Sequence, residues 1–70
     1  MGTYAVYLTD KRYLDVVAND IARVGGRVIT ISPVFGVIVA EIPDTVVNII
    51  VSKPYVRMVE KTYPFERMYR

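Results

Sequence analysis

The chain has no cysteine, no histidine and no tryptophan. Without cysteine there is neither a disulfide nor a thiolate metal site. Without histidine the commonest general base, the usual pH switch near neutrality and the commonest zinc ligand are missing too. Long hydrophobic runs are absent as well: no apolar segment approaches the roughly 20 residues needed to span a bilayer. The start, MGTYAVYLTD, lacks the basic stretch and long apolar run of a secretory leader. For a full-length chain that points to the cytoplasm and to no membrane partner.

Seventy residues make one domain. A core of that size contributes about 3–5 kcal/mol. Yet 53% of the residues are hydrophobic, which is high for so short a chain. Small domains have proportionally more surface, so some of those side chains must be exposed, and that points to a protein partner. The net charge of +2 is uneven. Residues 1–56 balance five basic against five acidic side chains, so the excess lies in Arg57, Lys61, Arg67 and Arg70 against Glu60 and Glu66. A nucleic-acid footprint needs a broader basic face than that.

Thr3–Leu8 is short, aromatic and β-branched, and reads as a strand. Thr9 or Asp10 then offers an N-cap. Leu14, Val17, Ile21 and Val24 recur at helical spacing, with Lys11, Asp15, Asp20 and Arg23 mostly off the stripe. Gly25 supplies the positive φ that ends such a helix, predicted over 11–24. Gly25–Pro43 holds two Val- and Ile-rich runs broken at Ser32-Pro33, the signature of two strands and a tight connection. A capping Asp44 followed by Val46, Val47 and Ile50 predicts a short helix over about 45–52. Val56–Lys61 is the last strand.

The order β-α-β-β-α-β predicts an α+β domain, residues 1–62, of ferredoxin-like type: a four-stranded antiparallel sheet with both helices on one face. Residues 63–70 are a C-terminal tail. Glu41 should avoid the core, which puts Ile38, Ala40 and Ile42 inward and Val37 and Val39 outward. On the preceding strand Ile29 and Ile31 are expected inward, Val28 and Thr30 outward. Parity in the first and last strands is not readable, because both are apolar on either side. The outward face therefore carries valines where a solvated face would carry charge.

Catalysis finds little support. Ser32, Ser52 and the threonines have no histidine to activate them, and capping accounts for Asp10 and Asp44. Gly25-Gly26 follows a helix instead of opening one, so it is no phosphate loop. Phe35-Gly36 faintly resembles an RNA-recognition pattern, but Val37 and Val39 stand where stacking rings are wanted. The sequence calls for no cofactor and no metal.

Five landmarks in order resemble one family. They are Tyr4-Ala5-Val6, the helix exit Gly25-Gly26-Arg27-Val28, Phe35-Gly36-Val37, Ile42-Pro43, and Pro54-Tyr55-Val56-Arg57-Met58-Val59-Glu60. Together they are similar to the propeptide domain of subtilisin-like serine proteases and its stand-alone inhibitor relatives, over almost the whole chain. The resemblance implies a non-enzymatic protease inhibitor or folding chaperone. It docks its open sheet face on two surface helices of the protease and lays its C-terminal tail in the active-site cleft. Carried over, Val28, Thr30, Val37 and Val39 form the docking face, and Glu60 matches the acid that meets the helix N-termini. Phe65, Glu66, Arg67 and Met68 form the cleft segment, with Met68 near the primary specificity pocket. The chain departs from the family where a second acid is expected, near Lys61 or Thr62, and where Tyr69 and Arg70 run past the cleft segment. The rival expectation is a homo-oligomeric interaction module, with a homodimer formed through the same open face.

Overall fold

A computed structural model describes residues 1–62. The chain runs through β1 (Gly2–Leu8), a 3-10 turn (Lys11–Tyr13), α1 (Leu14–Arg23), β2 (Arg27–Ser32), β3 (Val37–Ile42), α2 (Val47–Val51) and β4 (Val56–Thr62). The strands form one sheet in the order β2-β3-β1-β4, every neighbouring pair antiparallel. That is the α+β, ferredoxin-like β-α-β-β-α-β arrangement, its two strand-helix-strand units interleaved so that β1 and β3 hold the centre.

The apolar stripe of the first helix organises the packing. Val17 and Ile21 are fully buried, with Leu14 and Val24 packed at the stripe's ends. They meet Tyr4, Val6 and Leu8 of β1, Ile38, Ala40 and Ile42 of β3, Val56 of β4 and Ile50 of α2. Cross-strand pairs Tyr4↔Ala40 and Val6↔Ile38 put these sheet residues on one face, so both helices cover that face. Asp20, expected off the stripe, is only 8% exposed, since its carboxylate accepts a hydrogen bond from the Tyr55 hydroxyl at 2.5 Å.

The helix boundaries follow local chemistry. The Asp10 carboxylate accepts the Arg12 N–H at 2.9 Å, which caps a tight 3-10 turn before the α-helix proper begins at Leu14. At the other end the Gly26 N–H donates to the Ile21 carbonyl (2.8 Å) and the Gly25 N–H to the Ala22 carbonyl (3.1 Å). This is a Schellman closure, and Gly25, at φ +87°, is the residue that permits it. A side chain at Gly26 would stand 2.7 Å from the Ile21 Cγ2. The second helix is shorter than expected, Val47–Val51, and Asp44 does not cap it. Instead the Tyr4 hydroxyl donates to the Asp44 carboxylate, and Lys61 Nζ lies 3.8 Å from it. The aspartate thus ties the loop before α2 to β1 and β4.

The hairpin departs from the expected parity. Val28 pairs with Ala40, but Thr30 pairs with Val39, so Ile29 is an extra residue in a β-bulge. Val28 therefore turns toward the helices and packs on the core, and it is not a docking-face residue. Thr30 faces outward as expected. Ile31 lies opposite Ile38 on the helix side but is 39% exposed, and Ile29 is 50% exposed. Neither holds the helices. β2 is an edge strand, and the bulge moves the inward role from Ile29 to Val28.

Candidate sheet-face binding site

Registering the four strands gives three cross-strand rows on the face opposite the helices. One row is Ser32, Val37, Tyr7 and Met58; the next is Thr30, Val39, Ala5 and Glu60; the third is Arg27, Glu41, Thr3 and Thr62. No helix among the described residues covers this face. Its floor is made by the short side chains of Thr3 and Ala5 on the central strand, and its apolar relief by Val37, Val39, Tyr7 and Met58. Outward-facing strand positions with solvent as their only contact are normally polar. Here the middle of the face is apolar and charge sits toward the edges.

The edge charges are individually placed. Arg27 and Glu41 form a 2.8 Å ion pair at one corner, and Glu41 pushes the Arg27 guanidinium further toward its charged form. On the opposite edge the Tyr7 hydroxyl donates to Glu60 at 3.3 Å. β4 also contains a bulge: Met58 pairs with Tyr7 but Val56 with Leu8, leaving Arg57 as the extra residue. The bulge re-aims Arg57, whose guanidinium carbon lies 5.8 Å from the centre of the Tyr7 ring. Tyr7, Ser32, Phe35, Val37 and Arg57 then border an open depression of about 450 Å³ at the hairpin end of the face.

Of the residues assigned from sequence to a docking face, Thr30, Val37, Val39 and Glu60 lie together on this surface and Val28 does not. The cleft residues Phe65, Glu66, Arg67 and Met68 lie outside the described residues. Sequence reasoning missed Tyr7, Arg57 and Met58. The signal for Tyr7 and Met58 was the parity of two strands that are apolar on both sides, which only pairing resolves. For Arg57 it was a bulge, which leaves no mark in the residue pattern.

The helix side carries polar links, with Val16, Ile49 and Val51 exposed on the helices. Tyr55 ties to Asp20, its ring stacks on Tyr13 at 5.3 Å, and Arg12 lies 5.2 Å over Tyr13. Asp20 raises the Tyr55 hydroxyl pKa, chiefly through that hydrogen bond, as Asp44 raises that of Tyr4. Among the described residues no three His, Cys, Asp or Glu side chains are grouped to hold a metal ion, and no helix is long and apolar enough to cross a membrane. Comparison with protein-family models, with curated proteins and with solved structures found no match to this chain.

Proposed function

We propose that this protein is a propeptide-type inhibitor, or a chaperone-like binder, of a subtilisin-like serine protease. It acts by docking and not by turnover. The observation that carries the reading is the uncovered sheet face. Val37, Val39 and Ala5 form an apolar middle, Met58 is exposed beside them, and Glu60 stands at the outer strand. A flat apolar surface with an acid at its margin suits the ends of two helices. Helix N-termini carry unsatisfied N–H groups and positive potential, which Glu60 would meet. In this reading residues 65–68, Phe-Glu-Arg-Met, occupy the protease cleft as a substrate-like segment. Mixing the intact chain with a subtilisin and following hydrolysis of a peptide substrate tests it. Saturable inhibition is expected, and none at micromolar concentration would count against it.

A second reading is a homo-oligomeric interaction module, favoured by the exposure of Ile29, Val34, Phe35 and Met58 beside or on the same face. Analytical ultracentrifugation separates the two. A stable dimer whose dissociation follows substitution of Val39 supports self-association, whereas a monomer at tens of micromolar, an ordinary concentration for weak dimers, supports docking to another protein.

A further inference from the structure

The depression beside Arg57 has a chemistry of its own. Its walls are the Tyr7 ring, Val37 and Phe35, and Phe35 is 80% exposed. Ser32 contributes a hydroxyl and Arg57 the one cation. Among the described residues no carboxylate forms an ion pair with Arg57; its neighbour is the Tyr7 ring.

The surroundings carry charges of both signs. Three loops converge at this end of the sheet: the Leu8 N–H donates to the Gly36 carbonyl and the Thr9 N–H to the Tyr55 carbonyl, both at 3.0 Å. They bring Lys11, Arg12, Lys53 and Arg57 to one end of the molecule, against Asp10, which already lies 3.7 Å from Arg12, Asp15 in the first turn of α1, and Glu60 at the Tyr7 hydroxyl. Four cations against these three acids leave a formal excess of one positive charge, a weak attraction for an approaching anion.

We propose that this depression is a binding site for an aromatic carboxylate, its ring on Phe35, Val37 and Tyr7 and its carboxylate on Arg57, with Ser32 at the far wall. Arginine presents a planar fork that matches a carboxylate in two parallel hydrogen bonds, and the Arg57 guanidinium lies beside the Tyr7 ring at the rim of the depression. The depression, about 450 Å³ and open to solvent, has room for a one-ring acid. A nucleic-acid strand fits less well. One cation lines the depression, and Glu60 and Glu41 occupy the next two rows, where further phosphates would lie. The same ligand chemistry has two sources, a free aromatic acid or the C-terminal aromatic residue of another chain. The site goes beyond the protease reading and does not depend on it.

The test is an amide-resolved NMR titration of the intact 70-residue chain with 3-phenylpropionate, N-acetylphenylalanine and the corresponding neutral amides. Saturable shifts are expected at Tyr7, Ser32, Phe35, Val37 and Arg57, with each acid binding about tenfold or more tighter than its amide, the scale of one charge-assisted hydrogen bond. Arg57→Gln should abolish that preference with an unchanged melting temperature, and Phe35→Ala should weaken acid and amide alike. N-acetylphenylalanine binding tighter than phenylpropionate identifies a chain terminus as the source; the reverse identifies a free acid. Equal affinity for acid and amide, no saturation up to about 10 mM, or tighter binding of oligouridylate with a steep salt slope would each overturn the proposal.

Discussion

Ile38 and Val39 are neighbours in the chain and opposites in the sheet. Ile38 is fully buried beneath the helices, while Val39 lies on the uncovered face. Truncating Ile38 to alanine removes packed methyl groups and leaves a cavity, at a cost of about 2–5 kcal/mol, enough to unfold much of a domain this small. Val39→Ala should cost far less. Denaturant melts of the two variants check this, and equal losses would mean that both faces are buried. Asp44 makes a second prediction at this scale. The Tyr4 hydroxyl, helped by Lys61 and the chain's amino terminus, holds the Asp44 carboxyl below its ordinary range. A carboxylate whose folded pKa is depressed stabilises the fold above the unfolded value, near pH 4, and that stability is lost as pH falls through the folded pKa. Tyr4→Phe should therefore flatten the acid limb of stability against pH. An unchanged acid limb in melts between about pH 2 and 6 would show that Tyr4 does not hold Asp44.

Among the elements, the β2–β3 hairpin carries both the core and the candidate site, and one residue decides how it is divided. With Ile29 in a bulge, Val28 packs on the core and Ile29 does not. Val28→Ala should accordingly cost more stability than Ile29→Ala, although isoleucine loses the larger side chain. The opposite order in melts would restore an unbulged register. The helices, the strands and the hairpin were legible in the sequence because each rests on a local pattern: the Leu14, Val17, Ile21, Val24 stripe, the Gly25 exit, the β-branched runs about Ser32-Pro33. On β3 the position of Glu41 was enough to orient the whole strand. Bulges leave no such pattern, since an extra residue is recognised only against its partner strand. Ile29 and Arg57 are therefore the points at which sequence reasoning and structure part, one reversing a docking residue and the other adding a cation to the face. Asp44 illustrates a different limit. Its position before a helix makes it a good cap, but the Tyr4 hydroxyl, forty residues away in sequence, claims the same oxygen.

At the scale of the molecule, two helices shield one side of a four-stranded sheet, and no element among the described residues covers the other side. The sequence made half of that visible, because an apolar fraction of 53% in a chain of 70 residues cannot all be buried. Which residues stay outside required the register of β1 and β4. If this face is a docking surface for a subtilisin-like protease, a charge placed at its centre should impair docking without unfolding the domain. The decisive measurement is the inhibition constant of the intact chain and of Val39→Asp against a subtilisin, with melting curves of both. The wild-type chain is expected to inhibit saturably at or below micromolar concentration, and Val39→Asp to inhibit about tenfold or more weakly at a nearly unchanged melting temperature, the effect of a buried unpaired charge at an interface. No inhibition by the wild-type chain at micromolar concentration, or equal inhibition by both, would contradict the account.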